Sequence, residues 1–404
     1  MDLRIGTLNG IAAHWRLHLS ICLLAYVLLV RALRHHREKS LVAKYAPGGR
    51  ESLRSMTADD AQAILKTLAE LEFPKLYGLA MVVALFRTYG ILSISSLLVA
   101  TGQLKHKETA SKRAADTGVL LLEFGLNRPA SKRAIEAIAR MNFLHSRYQK
   151  NGKITNDDML YTLSIFALEP SRWIDRYEWR AMNEVEMCAC GTFWKSMGDA
   201  MEIEFTKLPS SSTGWQDGLH WLREIKEWSD GYEEAHMIPA NSNRELAESQ
   251  FNTLLPTWPS GWQGFYKKTV IVLLGNRLRL SMILLDLRKL LLRHLALPRP
   301  EILRNHWIEA GNDSPDKHYA LFDYLAHPWY VKPTLLRRWG PGAWISRLLG
   351  YKVPGDEGNK YYPQGYTFTS IGPQALSGKG INEMDKTRTR LVHEDRGRCP
   401  FSSR

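Results

Sequence analysis

Helical periodicity runs through most of this 404-residue chain and restricts its fold more than any other feature. The clearest example lies between residues 131 and 150, where apolar side chains and one histidine share a face. The residues on or beside that face are Ile135, Ile138, Met141, Phe143, Leu144, His145 and Tyr148. No segment shows the sustained alternation of apolar and polar residues that marks a half-buried strand. The chain is therefore predicted to be all-α.

Capping signals place several helix boundaries. Thr57 and Asp60 form the capping-box pattern that opens one helix, and Thr155 with Asn156 caps another. Pro170 is predicted to end that second helix. Two further long helices are predicted at residues 176–201 and 267–295.

An apolar segment near the N-terminus predicts a membrane anchor. Residues 17–30 contain no Lys, Arg, Asp or Glu, but they are fewer than the ~20 residues that a spanning helix needs. Extending the segment to residues 15–33 adds Arg16 and Arg31, whose long side chains can reach the two interfaces. A cleaved signal peptide is less well supported because no small-x-small cleavage site follows. More basic residues follow the segment than precede it, which places the body in the cytosol and the short N-terminus in the lumen.

A second apolar run covers residues 76–100. It contains Arg87 near its middle, and a charge at that position is costly inside a bilayer. The run is therefore predicted to be a buried core helix, with a second membrane segment as the alternative.

The formal net charge of +13 is concentrated at the two ends of the chain. Residues 1–56 carry nine Lys or Arg against three Asp or Glu, and residues 330–404 carry thirteen against six. The remaining residues balance at 32 of each. A nucleic-acid-binding protein usually concentrates its basic excess on the folded reading surface. This distribution instead favours contact with anionic membrane lipids, and no nucleic-acid partner is predicted.

Cysteine usage and local motifs exclude several enzyme classes. Four cysteines do not form a disulfide framework for a chain of this length. Cys188 and Cys190 lack a second ligand pair at zinc-site spacing and are interpreted as core residues. The sequence has no nucleophile elbow, P-loop, His-Glu-x-x-His or Rossmann fingerprint. Cys399 is not preceded by the glycine-rich haem-thiolate loop of a cytochrome P450.

One polar cluster stands out among these helices. Arg113, Asp116 and Thr117 occupy a single helical turn, and His145 follows Thr117 by 28 residues. From the residues alone, His145 is most simply a buried core histidine. Arg113 and Asp116, three residues apart, would most simply form a local ion pair.

Longer strings around this cluster carry a family resemblance. They are Asn-Phe-Leu-His-Ser-Arg-Tyr at 142–148, Asn-Asp-Asp-Met-Leu-Tyr-Thr-Leu at 156–163 and Arg-Trp-Ile-Asp-Arg-Tyr-Glu-Trp-Arg at 172–180. The region from about residue 73 to 201 resembles the catalytic domain shared by fungal ER-bound oxygenases of the mycophenolic acid pathway and bacterial latex-clearing rubber oxygenases. The tail is similar to the fungal branch specifically. Its motifs are Arg337-Arg338-Trp339, Val353-Pro354-Gly355, Gly365-Tyr366, Ile371-Gly372-Pro373 and Cys399-Pro400-Phe401.

The resemblance implies a globin-like helical core that binds haem b. It makes His145 the axial iron ligand, with Asn142 and Tyr148 flanking it as further cofactor-binding residues. It also implies three units along the chain: an anchor with its basic flank at 1–40, a helical catalytic domain at 41–350, and an extended tail packed on the body at 351–404. The oligomeric state stays open.

The resemblance also assigns Arg113, Asp116 and Thr117 to the catalytic site. Arg113 would contact a haem propionate or face bound oxygen. Rubber oxygenases have a lysine where this chain has Asp116, and their glutamate base has no counterpart here because residues 74–107 contain no Asp or Glu. Asp116 is then the nearest substitute for proton handling; the alternatives are an ion pair with Arg113 or a cap on the turn.

The implied function is oxidative cleavage of a C=C double bond. The protein would use O2 on an apolar prenyl or terpenoid chain in fungal secondary-metabolite biosynthesis, as a single-pass protein of the ER membrane with its catalytic body in the cytosol. One alternative is a haem enzyme that hydroxylates or rearranges a fungal metabolite. The other is a non-enzymatic, lipid-binding membrane module.

Overall fold

The computed structural model describes residues 3–104, 107–254, 292–309, 318–324 and 327–402. Its helices are α1 (Leu3–Arg34), α2 (His36–Tyr45), α3 (Ala58–Thr67), α4 (Pro74–Thr88), α5 (Leu92–Ala100), α6 (Lys107–Leu126), α7 (Lys132–Lys150), α8 (Asn156–Tyr177), α9 (Glu184–Ala200), α10 (Gly218–His236), α11 (Asn241–Leu254), α12 (Leu335–Trp339), α13 (Pro341–Leu348) and α14 (Ile381–His393). Short 3-10 or π turns lie at Gly49–Ser55, Leu68–Glu72, Pro209–Ser211, Glu301–Leu303, Phe368–Ser370 and Gln374–Leu376. Across these described ranges only isolated β-bridges occur, so the all-α prediction is confirmed. Most of the helix predicted at 267–295 lies outside them.

The core lies where α3, α4, α8, α9 and α10 pack together. Aromatic side chains fill its centre: the rings of Phe166 and Trp194 stack with centroids 5.4 Å apart, and Phe124 meets Trp194 edge-on at 6.1 Å. Large buried rings contribute most of the apolar area that stabilises such a core. Cys188 and Cys190 are fully buried, free thiols in α9, which confirms their interpretation as core residues.

The predicted capping box at Thr57 is present, and Thr155 caps α8 as predicted, although its partner in the box is Asp158 rather than Asn156. The Thr57 hydroxyl accepts from the Asp60 amide at 3.1 Å, and α3 begins at the next residue after Thr57. Thr155 and Asp158 make the same reciprocal pair at the start of α8. Each cap satisfies amide groups that the first helical turn leaves without intrahelical partners.

The prediction that Pro170 ends α8 is wrong. The helix continues through Pro170 to Tyr177. Glu169 holds the following turn because its carboxylate accepts from the Trp173 indole at 3.0 Å and from Arg172 at 3.0 Å. Burial of Trp173 and Tyr177 against α4 adds apolar stabilisation. These contacts outweigh the one backbone hydrogen bond that proline removes.

The helix predicted at 176–201 is interrupted. Residues 178–183 are non-helical, and α9 starts afresh because Asn183 caps it in a box with Glu186. Arg180 is buried inside the break and donates two hydrogen bonds of 2.7 Å to the Glu186 carboxylate. It also pairs with Glu72 at 3.3 Å. A buried guanidinium is stable only when carboxylates neutralise it, and Arg180 reaches Glu186 and Glu72 because the helix is interrupted at residues 178–183.

The apolar run at 76–100 folds as two helices, α4 and α5, which meet at 90°. Arg87 in α4 pairs with Glu169 at 3.1 Å and with Glu233, which also accepts from the Tyr161 hydroxyl at 2.8 Å. These buried partners confirm that α4 is a core helix. The pair would qualify as a membrane span only if its two bent halves were taken together.

In the part of the chain that the structure describes, a single unbroken helical stretch, near the N-terminus, is long and apolar enough to cross a membrane. Its large apolar side chains point outward without protein covering them, as Leu19 (59% exposed) and Leu24 (60% exposed) illustrate. A helix that is apolar on its exposed faces is unstable in water and stable in lipid.

The C-terminal tail lies across α7. Arg140 of α7 is fully buried and donates to the carbonyl oxygens of Ile371, Leu376 and Lys379. Gly380 has a positive φ of 86°, and a Cβ there would meet the Phe143 ring at 2.4 Å. The tail, including α14, therefore covers the helix that carries His145.

Candidate functional site

The candidate site forms where α6 packs against α7. His145 of α7 is half-buried, and its imidazole is strongly desolvated. Burial, and then the nearby charge of Arg113, lowers the pKa of His145 to about 4. The imidazole is therefore neutral near pH 7, which is the form that binds a metal.

The Nδ1 atom of His145 is buried, and no group in the described ranges makes a hydrogen bond to it. Buried polar atoms of this kind usually have a partner, so an orphan calls for an explanation such as an absent ligand. A neutral ring with one nitrogen free of hydrogen bonds can bind a metal ion or form a hydrogen bond with a ligand.

Arg113 of α6 provides positive charge beside this ring. Its Nη1 donates to the Thr117 hydroxyl at 3.2 Å, and that hydroxyl donates to the Arg113 carbonyl oxygen at 2.9 Å. No carboxylate of the described residues lies within ion-pair distance of Arg113. Burial raises the pKa of the nearby Tyr89 to about 12, and the Arg113 charge acts in the opposite direction. An arginine without a carboxylate partner is suited to bind an anionic group of a ligand.

Asp116 has a different set of partners from the one expected. It is almost fully buried, and its Oδ2 accepts from Lys112 at 2.8 Å and from the Gly372 amide at 3.1 Å. Its Oδ1 accepts from the Tyr330 hydroxyl at 2.6 Å. The ion pair suggested with Arg113 is therefore replaced by one with Lys112. Asp116 fixes α6 to the C-terminal part of the chain.

Asn142 and Tyr148 lie one turn before and after His145. The Asn142 amide donates to the Ala200 carbonyl oxygen at 3.0 Å and so ties α7 to the end of α9. The Tyr148 carbonyl oxygen accepts from the Lys153 amide at 2.9 Å where α7 ends. Both side chains are half-buried, and both residues hold the helix that positions His145.

Curated fungal proteins are similar to this chain over most of its length. The ER-bound oxygenase mpaB' of Penicillium brevicompactum is 42% identical over 393 residues, which cover 94% of this chain and 93% of that protein. The ER-bound oxygenase mpaB of the same species is 43% identical over 349 residues, covering 85% and 84%. This chain belongs to the mpaB family of ER-bound oxygenases.

A further mpaB, from Penicillium roqueforti (strain FM164), is 44% identical over 264 residues, which cover 65% of this chain and 89% of that protein. No family model matches the chain. The resemblance to the fungal branch is thus confirmed. The similarity to mpaB' spans nearly the whole chain, so it includes both the α6–α7 cluster and the tail.

Sequence reasoning missed two buried groups of this mpaB-family chain. Tyr89 directly follows α4 and interacts electrostatically with Arg113 of α6. It lies at the bend between α4 and α5, which the sequence did not indicate. Glu123 of α6 is fully buried; it pairs with Arg133 and accepts from the Tyr366 hydroxyl. Glu123 and Arg133 lie ten residues apart on different helices, so no helical spacing indicated their pair, and nothing local indicated Tyr366.

The arrangement of potential metal-binding side chains also indicates which kind of metal group the site could hold. Within the described ranges, no three His, Cys, Asp or Glu side chains are grouped so as to bind a metal ion directly. A haem needs only one protein ligand on its proximal side because the porphyrin supplies the equatorial nitrogens. The lone neutral His145 and the carboxylate-free Arg113 fit this requirement.

Proposed function

We propose that this protein is a membrane-anchored, haem b-dependent oxygenase in which His145 is the axial iron ligand. The observation that carries the proposal is the neutral His145 imidazole, whose buried Nδ1 has no hydrogen-bond partner among the residues that the structure describes. The relatives are named ER-bound oxygenases, which supports an oxidoreductase that uses O2.

The residues of α6 and α7 would hold the cofactor in defined roles. His145 would bind the iron through one ring nitrogen, and Arg113 would bind a propionate with the planar fork that matches a carboxylate. Thr117 would orient Arg113 through the hydrogen bond at 3.2 Å. Asn142 and Tyr148 would keep α7 in place. The haem, when bound, would supply the iron chemistry that activates O2.

The reaction that we propose is cleavage of a C=C double bond in a prenyl or terpenoid chain of a fungal secondary metabolite. It balances without another reactant, because one alkene and one O2 give two carbonyl groups. The protein would contribute an enclosed apolar space that excludes water from the reacting atoms. A prenyl chain partitions into the bilayer, so an anchored enzyme meets it at raised local concentration.

We also propose a single pass through the ER membrane, with α1 as the span and the body in the cytosol. The names of the relatives and the apolar α1 support ER association. The excess of arginine after the apolar segment supports the orientation.

The absorption spectrum of the purified full-length protein in detergent tests the haem assignment. We expect a Soret band in the wild type and in His393→Ala, an exposed histidine at the end of α14. His145→Ala should lose the band or show it sharply weakened. If the wild type binds no haem even after reconstitution, the lipid-binding alternative replaces the oxygenase.

Isotope labelling distinguishes double-bond cleavage from hydroxylation. With 18O2 and a prenylated aromatic substrate, cleavage places one labelled oxygen in each of two carbonyl products. A single labelled hydroxyl on an intact chain would show that the haem hydroxylase alternative is correct.

A further inference from the structure

A band of exposed apolar side chains extends over one side of the body. Three of its members are among the most exposed in the molecule: Ile302 at 90%, Leu335 at 83% and Leu348 at 87%. Soluble surfaces rarely expose large apolar side chains in contiguous groups. We call the following residues the interfacial band: Leu295, Leu297, Ile302, Leu303, Phe322, Leu335, Leu336, Trp339, Trp344, Ile345 and Leu348.

One end of the interfacial band is bound to the membrane helix. The Tyr26 hydroxyl of α1 donates to the Leu295 carbonyl oxygen at 2.6 Å, and Arg34 donates to the Leu297 carbonyl oxygen at 3.1 Å. Eight residues of α-helix separate Tyr26 from Arg34, which corresponds to about 12 Å along the axis. Leu295 and Leu297 therefore run alongside the last third of α1.

Contacts through Phe322 continue the band to α12 and α13. The rings of His306 and Phe322 lie 6.0 Å apart. Arg337 of α12 places its guanidinium 4.3 Å from the Phe322 ring centroid and donates to the Phe322 carbonyl oxygen at 2.8 Å. The exposed leucines of α12 and α13 are thus connected, contact by contact, to the segment that flanks α1.

The charge of this region is complementary to an anionic membrane surface. Residues 332–352 carry five Lys or Arg and no Asp or Glu, although Lys332 pairs with Glu309 and Lys352 pairs with Glu357. Arg337 and Arg338 lie on α12 among its exposed leucines, while Arg347 of α13 is paired with Asp356 at 2.6 Å. Two exposed tryptophans, Trp339 and Trp344, complete a composition typical of helices that lie in the bilayer interface.

We propose that the interfacial band rests in the cytosolic leaflet of the bilayer that α1 crosses. The inference rests on the proposed membrane anchoring and adds a second attachment to it. A single helical tether leaves the body free to rotate, whereas two attachments fix its orientation and its height above the membrane. The same face of the body would then always meet the lipid phase in which an apolar substrate is dissolved.

Site-directed spin labelling of the full-length chain in nanodiscs tests this proposal. The background carries Cys22→Ser and Cys399→Ser, because Cys188 and Cys190 are buried. Single cysteines replace Leu336 or Leu348 in the band, with Glu383→Cys, an exposed site on α14, as the aqueous control. Power saturation then compares the accessibility of each label to O2, which concentrates in lipid, and to a water-soluble nickel chelate.

We expect the labels at positions 336 and 348 to be more accessible to O2 than to nickel, with the reverse at position 383. Native Cys22, labelled alone in the Cys399→Ser background, reports insertion of α1. If the labels at 336 and 348 are more accessible to nickel while the label on Cys22 is more accessible to O2, the inference is wrong and the proposed anchor stands. If Cys22 is aqueous as well, the proposed anchoring fails and the inference fails with it. Labels shielded from both reagents would show that protein, such as a second copy, covers the band instead.

Discussion

At the scale of single residues, folding changes the titration of His145. Its pKa is lowered from 6.5 to about 4 by burial and by the Arg113 charge, so the folded protein resists protonation that the unfolded chain accepts. The unfolded state therefore binds more protons once the pH falls below about 6.5. The contribution of neutral His145 to the free energy of unfolding is complete above pH 6.5 and is lost progressively as the pH falls toward 4.

The lowered pKa of His145 in the folded state predicts that the stability of the haem-free protein depends on pH. Between pH 6.5 and 4, the free energy of unfolding should fall by up to roughly 3 kcal/mol because of His145. In the His145→Gln variant, which cannot titrate, that part of the slope should be absent. Urea unfolding followed by tryptophan fluorescence measures both proteins. Parallel pH slopes in the two would contradict the prediction.

Arg113 carries its charge near the same ring and has no carboxylate partner among the residues that the structure describes. Arg113→Gln should therefore leave the haem-free protein about as stable as the wild type, while haem affinity falls by roughly ten- to a hundredfold, as expected for one lost charge-assisted hydrogen bond. Titration with hemin, followed by absorbance, measures the affinity. Arg147→Gln, at an exposed position of α7, is the matched control. Unchanged affinity in Arg113→Gln would remove the propionate assignment.

At the scale of elements, Asp116 joins α6 to the C-terminal part of the chain. Asp116→Asn should lower the free energy of unfolding by about 3 kcal/mol, because it leaves half-buried Lys112 without its counter-charge and weakens the buried hydrogen bonds that Asp116 accepts. The Soret position of the haem-loaded protein should not change if the role is structural. Asp385→Asn, an exposed residue paired with Arg388, should have an effect below about 1 kcal/mol. A shifted Soret band with unchanged stability would instead favour a role for Asp116 at the cofactor.

Two helices approach each other closely at a pair of glycines. A Cβ on Gly191 of α9 would lie 1.9 Å from the Gly218 carbonyl oxygen at the start of α10. Gly191→Ala should therefore destabilise the protein by several kcal/mol, since backbone must move to relieve the overlap. Gly231→Ala in α10 meets nothing within 4 Å and should stabilise it by about 0.5–1 kcal/mol. Thermal unfolding of both variants checks the contrast, and equal midpoints would contradict it.

For the whole molecule, the orientation in the membrane can be tested directly. An N-glycosylation acceptor added before Met1 should be modified in ER microsomes, whereas one added after Arg404 should not. Leu24→Arg combined with Leu28→Arg should release the protein in carbonate extraction, because each central arginine costs about 2.5–3.5 kcal/mol on insertion. The matched pair Ile381→Arg and Val392→Arg, at exposed positions of α14, should stay in the membrane pellet. Glycosylation at the C-terminus would reverse the proposed topology.

Local sequence determined much of this protein. Helical periodicity, the capping boxes at Thr57 and Thr155 and the apolar α1 depend on neighbours within a turn or two, so they can be read without a fold. The family resemblance rests on strings of the same short range. The assignment of Arg113, Thr117 and His145 to one site came from that resemblance, and the structure places Arg113 beside both of the others.

Only the tertiary structure decided the remaining features. Pro170 stays inside α8 because buried partners outweigh one lost hydrogen bond. Asp116 binds Tyr330 and Gly372, which are 214 and 256 residues away in sequence. Such partners are chosen by the packing of distant segments, where burial makes an unsatisfied charge more costly than any local preference. The sequence by itself therefore determines most of the helices, the apolar character of α1 and the family, while long-range burial decides where helices stop and which charges meet.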